Sequence, residues 1–268
     1  MRDKARLVSL LKSGLLLFSP MAFLAKTVCV GWVLFLAASP YAVADAVEAD
    51  AAFKAKSYDE AFESWEALAQ TGDAVAQHNL GFLYSRGLGA SVDFTKAAEW
   101  WSKAAAQDVL EAQLNLGLLY FWGKGVPQDD TKAVKLWRRA AVGGLPEAQY
   151  YLGSMYFLGR GVRRSGAEGV FWSNKAAELG NVDAQVNLAK AYLGGGDLEK
   201  DPDLAFYWNK MAAERNNSQA QFNLGLMYLK GVGVEKDIEL AMQWLKRSAA
   251  QGYHRAQKAL DGMVVDKK

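Results

Sequence analysis

Residues 112–141 read Ala-Gln-Leu-Asn-Leu-Gly-Leu-Leu-Tyr-Phe-Trp-Gly-Lys-Gly-Val-Pro-Gln-Asp-Asp-Thr-Lys-Ala-Val-Lys-Leu-Trp-Arg-Arg-Ala-Ala. The stretch recurs. A step of 36 residues links Tyr84, Tyr120, Tyr156, Tyr192 and Tyr228. The same step links Leu80, Leu116, Leu152, Leu188, Leu224 and Leu260, and it links Ala76-Gln77, Ala112-Gln113, Ala148-Gln149, Ala184-Gln185, Ala220-Gln221 and Ala256-Gln257. Five full units keep one phase from residue 73 to 252 without insertion. A fixed period of this length is the mark of a repeat architecture.

Each unit predicts two helices. Ala76, Leu80, Leu83 and Tyr84 fall at i, i+4, i+7 and i+8, one apolar face of a helix. Glycines at 87, 123, 159, 195 and 231 then close the first helix. Asp93, Asp129, Asp201 and Asp237 stand where an N-cap belongs and start the second. That helix ends on Gly72, Asp108, Gly144, Gly180, Asn216 or Gly252, types that tolerate a left-handed backbone.

Small residues predict close helix packing. Gly81, Gly117, Gly153 and Gly225 share one position, which is Ala189 in the fourth unit. Alanine pairs at 104–105, 140–141, 176–177 and 212–213 share another. Tryptophans fill two adjacent phases: Trp100, Trp172, Trp208 and Trp244 in one, Trp65, Trp101 and Trp137 in the next. One helix pair cannot bury its apolar face alone, whereas stacked pairs can. Gly166 and Gly169 in the third unit predict the softest second helix, since glycine costs roughly 0.5–1 kcal/mol against alanine.

The pattern from Ala112-Gln113 through Asn115-Leu116-Gly117, Tyr120, Gly123-Lys124-Gly125-Val126, Asp129, Lys132-Ala133 and Ala140-Ala141 resembles the Sel1-like repeat, a relative of the tetratricopeptide repeat. The resemblance covers the chain from about residue 46 onward; Ala189 and Asp197 depart from the glycine pattern. It implies an all-α, right-handed α-solenoid of antiparallel helix pairs, made of a partial unit at 45–72, five units at 73–252 and a capping helix at 253–268. It also implies an adaptor and not an enzyme. Exported bacterial members of the family include inhibitors of sensor kinases, exopolysaccharide-secretion scaffolds and flagellar-motor ring components.

If the array curves as tetratricopeptide arrays do, the first helices line a concave face. At about 100° per residue, the arc opposite the core residues holds positions 75, 78, 82, 85 and 86 and their repeats. That arc is unusually apolar, which marks an interaction site. The expected partner-binding residues are Phe82, Arg86, Leu118, Phe121, Trp122, Tyr150, Phe157, Leu158, Lys190, Leu226 and Lys230. Neighbouring helices compete for the 78 and 85 rows. The asparagines at 79, 115, 187 and 223 serve either an extended peptide or the tie between adjacent helices, and the second reading is preferred.

Composition narrows the function classes. The chain has 268 residues, net charge +2, one cysteine and two histidines. Near-neutral charge lacks the footprint of a nucleic-acid binder, and a lone cysteine excludes a disulfide scaffold. Ser-x-x-Lys, the core of penicillin-interacting serine enzymes, is absent after residue 44. No Gly-x-Ser-x-Gly or Walker sequence occurs, so neither catalytic nor cofactor nor metal residues are expected. A cell-wall or β-lactam hydrolase is the rival from another class.

Residues 1–44 read as a leader. Lys26 precedes the apolar run 27–38, and Ala42-Val43-Ala44 closes it as a cleavage site. Met21 is a candidate start; an uncleaved anchor is the alternative. The expectation is a periplasmic or secreted protein whose mature chain is not inserted in a membrane. It would bind an envelope or sensor protein as a regulator, or else serve as a structural adaptor in an exopolysaccharide-export or motor complex.

Overall fold

The computed structural model describes residues 40–194 and 199–265. Among them are thirteen helices and no strand. The leader run 27–38, Gly195, Asp197 and residues 266–268 lie outside the described residues. An opening pair, α1 (Pro40–Lys54) and α2 (Tyr58–Gln70), precedes five repeat pairs. These are α3 (Ala74–Arg86) with α4 (Phe94–Ala106), α5 (Leu110–Trp122) with α6 (Asp130–Val142), and α7 (Pro146–Leu158) with α8 (Gly166–Glu178). Then come α9 (Val182–Gly194) with α10 (Pro202–Glu214), and α11 (Ser218–Lys230) with α12 (Ile238–Ala250). The last helix, α13, is His254–Val265. Each helix packs on its neighbours in the chain, so the array is an all-α solenoid.

Local chemistry sets the helix ends. Asp93, Asp129, Asp201 and Asp237 each accept from backbone N–H groups two or three residues on, as an N-cap must. Ser165 does the same job in the remaining unit. All six closing positions of the second helices have positive φ, Asp108 at 62° and Asn216 at 65° included.

The two loop glycines do different work. Gly123 ends α5 at φ 65° and donates to the Leu119 carbonyl. Gly125, at φ 68°, lies flat against the backbone of Phe94 and Thr95 at the start of α4. Gly89, Gly161 and Gly233 lie likewise on Tyr58, Asp130 and Pro202. The second glycine is thus where one unit's loop touches the preceding unit's second helix.

Within a pair, glycine and tryptophan are matched. A side chain at Gly81 would meet the Trp101 indole at 2.7 Å, and one at Gly117 would overlap Trp137. The indole N–H of Trp101 donates to the His78 carbonyl, and that of Trp137 to Leu114, both at 3.1 Å. Where Ala189 stands in the glycine row, the tryptophan position holds Asn209, so no indole has to be admitted. Buried glutamines join successive units. Gln77, Gln113, Gln149, Gln185 and Gln221 each donate to the carbonyl eight residues earlier, at 3.0–3.2 Å, and so satisfy the end of the preceding second helix.

The third unit has its own solution. Ser173 takes the tryptophan position, and Gly169 is buried. A side chain on Gly169 would meet the Phe157 ring at 2.6 Å. The ring from α7 therefore occupies the space that this glycine leaves on α8.

Candidate partner-binding face

The first helices α3, α5, α7, α9 and α11 carry all eleven expected site residues. Two asparagines of the 79 row tie neighbouring first helices, and a third reaches the second helix α10. The Asn115 amide donates to His78 Nε2 at 3.3 Å, and Asn187 reaches the Ser154 hydroxyl at 3.4 Å. Asn223 donates to Asn209 at 3.2 Å. These bonds give the asparagines a structural task. Tyr151, which stands in the same row, stacks on Trp137 with centroids 4.9 Å apart.

The face divides by depth. In the 78 row, His78, Leu114 and Tyr150 are half-buried, while Val186 and Phe222 are buried. In the 82 row, Phe82, Leu118 and Leu226 are half-buried and Lys190 is exposed. Phe121 and Phe157 of the 85 row are half-buried. The 86 row is fully outward: Arg86, Trp122, Leu158 and Lys230 are all exposed. Trp122 is 65% and Leu158 62% exposed, large apolar side chains in adjacent units at one repeat position.

The expected residues gather in separate groups. Trp122 stands edge-on to Phe121 at 4.7 Å, and Phe121 tilts against Trp137 at 5.6 Å. Leu118 packs on that same core, and Tyr150 lies 5.1 Å from Tyr151. Phe82 packs on Phe53 of α1 at 6.1 Å, with the Arg86 guanidinium 5.5 Å over its ring. Phe157 turns away, into the α8 glycine. Lys190, Leu226 and Lys230 line one depression between α9 and α11.

Sequence reasoning missed Arg160. Its guanidinium makes two 2.9 Å bonds to Asp130 and lies 4.5 Å over the Phe121 ring. That clamp fixes the aromatic beneath Trp122. The only available signal was the 30-residue separation, which also joins Gln77 to Gln107 and Gln221 to Gln251.

Two electrostatic features follow from burial. The Tyr150 hydroxyl is pushed above its ordinary value, first by burial and then by the Asp183 charge. His78 is pushed below its ordinary 6.5, mainly by burial, with Glu111 opposing. The neutral imidazole is the form that accepts from Asn115. A lowered folded pKa means that the unfolded chain binds the proton more readily. The His78 contribution to stability is therefore complete above pH 6.5 and is lost as pH falls through the lowered value. Urea midpoints at about pH 7.5 and about pH 5 should show this loss, and His78→Gln should remove part of it.

Among the described residues, no group of three or more metal-ligating side chains occurs. No helix there is long and apolar enough to cross a membrane. The depressed pKa of the Asp108 carboxyl has a structural cause: Arg139 of the next unit hydrogen-bonds it at 2.7 Å.

The model of the Sel1 repeat matches residues 74–109, 110–144, 146–181, 182–217 and 218–253. The chain belongs to the Sel1 repeat family. Its five matched repeats are the five helix pairs α3–α4 to α11–α12. The solved relatives are bacterial. A Sel1 repeat protein from Oxalobacter formigenes is 33% identical with a TM-score of 0.75, over 82% of this chain and 87% of that one. A protective antigen of uropathogenic Escherichia coli strains, displaying an SLR fold, is 39% identical with a TM-score of 0.73. That match covers 75% of this chain but 43% of the antigen, so the Sel1 repeat chain spans under half of that protein. No curated protein matches. Sel1 repeat proteins generally mediate protein–protein interaction, and the family is typically a non-enzymatic scaffold.

Proposed function

We propose that this Sel1 repeat protein is a non-enzymatic scaffold that holds a protein partner on the face of its first helices. The observation that carries the reading is the exposure of Trp122 and Leu158 in adjacent units, above a clamped Phe121. Two large apolar side chains exposed at one repeat position of adjacent units favour an interaction site over a merely solvated surface. Rigidly seated aromatics are also what interface hot spots are made of.

The finer reading is a periplasmic or secreted protein that regulates an envelope sensor. The leader supports export, with its Lys26, apolar run 27–38 and Ala42-Val43-Ala44. A cut after Ala44 is compatible with the fold. It leaves residues 45–54 of α1, with buried Ala49 and with Phe53 packed on Trp65 and Phe82. Loss of the only cysteine with the leader leaves nothing to mispair in an oxidising compartment. The reading is tested by photocrosslinking in cells from position 122, with exposed Lys135 on a second helix as reference. A partner captured at 122 alone supports it, and mass spectrometry then identifies that partner. Appearance of the mature N-terminus at Asp45 tests the export step.

A further inference from the structure

The depression between α9 and α11 differs from the rest of the face in its charge. It encloses about 450 Å³, a volume within the range of sites that hold a small ligand or a few side chains. Leu193, Leu226, Met227 and Val232 supply the apolar lining. Lys190 and Lys230 also line it, and both are exposed. The cations elsewhere on this face are already engaged. Arg86 covers Phe82, and Arg160 is paired with Asp130 and covers Phe121. Among the described residues, Lys190 and Lys230 have no ion pair. Their chemistry is therefore that of an apolar slot with two uncompensated positive charges.

We propose that this slot takes an acidic–apolar peptide segment of the partner, with leucine-like side chains in the slot and flanking carboxylates on Lys190 and Lys230. The proposal rests on the reading of the first-helix face as a partner surface, and adds the chemistry and place of one contact. Charge complementarity chooses the occupant: a basic segment would be repelled by both lysines, and an uncharged one would leave them unpaired. Gln219, which also lines the slot and is exposed, is able to bond a peptide backbone.

The test uses two fluorescein-labelled peptides, Glu-Glu-Leu-Leu-Glu-Glu and Lys-Lys-Leu-Leu-Lys-Lys, and fluorescence anisotropy on the protein as purified from its host. The acidic peptide should bind, more weakly as salt is added, and the basic one should not. The double variant Lys190→Glu, Lys230→Glu should weaken the acidic peptide by about tenfold or more and let the basic one bind. Both positions are exposed, and circular dichroism verifies that the variant folds. Leu226→Asp should abolish binding of the acidic peptide. Equal binding of both peptides, binding of neither, or acidic binding that survives the double reversal overturns the proposal. So does a dimer of the chain that the double reversal dissociates, since a second copy would then be the occupant. Trp122 is not among the residues lining this slot. Crosslinking there with no peptide binding here would defeat this proposal and leave the functional reading standing; peptide binding here with no crosslink there would move the partner surface from the Trp122 row to this slot.

Discussion

Replacing Trp137 with alanine is expected to cost about 3–5 kcal/mol, the range for deleting a buried large aromatic. Trp137 has no exposed surface. It donates to the Leu114 carbonyl at 3.1 Å, stacks on Tyr151 and supports Phe121. Its indole lies against Gly117, where no side chain exists to collapse into the cavity. Stability in a solenoid is a sum of unit and nearest-neighbour terms. The loss should therefore appear as a broadened or divided urea transition, with the units on either side of α6 parting company. Trp122→Ala, at an exposed position one helix away, should change the midpoint by no more than about 0.5 kcal/mol. A sharp single transition with a small shift for Trp137→Ala would contradict the packing account.

The second large effect is expected at Gly125. Alanine there has to adopt φ 68° and to displace the Phe94 carbonyl group, against which the added carbon would lie. Left-handed strain costs about 1–2 kcal/mol, and overpacking adds about 1–3 kcal/mol. A total of about 2–5 kcal/mol is expected for Gly125→Ala from those two sources. Gly144 is the control: its φ is 94°, but nothing lies within 4 Å of the added carbon. Gly144→Ala should cost only the strain, about 1–2 kcal/mol. Thermal or urea unfolding of the two variants separates backbone strain from inter-unit contact. Equal losses would mean that the loop does not bear on the preceding unit.

What could be read from the sequence was what depends on neighbours in the chain. The aspartate caps and the left-handed closers at Asp108 and Asn216 are set within a few residues, the 36-residue period is written in the chain itself, and all appear where expected. The asparagine row was also assigned its structural task. What could not be read depends on register between units. The glutamine row was visible as a repeat, but its acceptor lies eight residues back, across a helix turn that periodicity does not describe. That the Phe157 ring fills the space at Gly169 could not be read, because the ring comes from another helix. The Arg160–Asp130 clamp between two units is not repeated along the array, so repetition could not advertise it. The same limit applies to the candidate face. The wheel picked out the 82, 85 and 86 rows, but only packing between helices separates outward Trp122 and Leu158 from half-buried Phe121 and inward-turned Phe157.

The central claim is that the exposed row around Trp122 is where a partner sits. Its most direct measurement is site-specific photocrosslinking in cells, with the probe at Trp122 and, separately, at Lys135. The expected result is one dominant crosslinked protein at position 122, lost when Leu158→Asp is added, and none at position 135. Equal yields at the two positions, or no adduct at position 122, would contradict the claim.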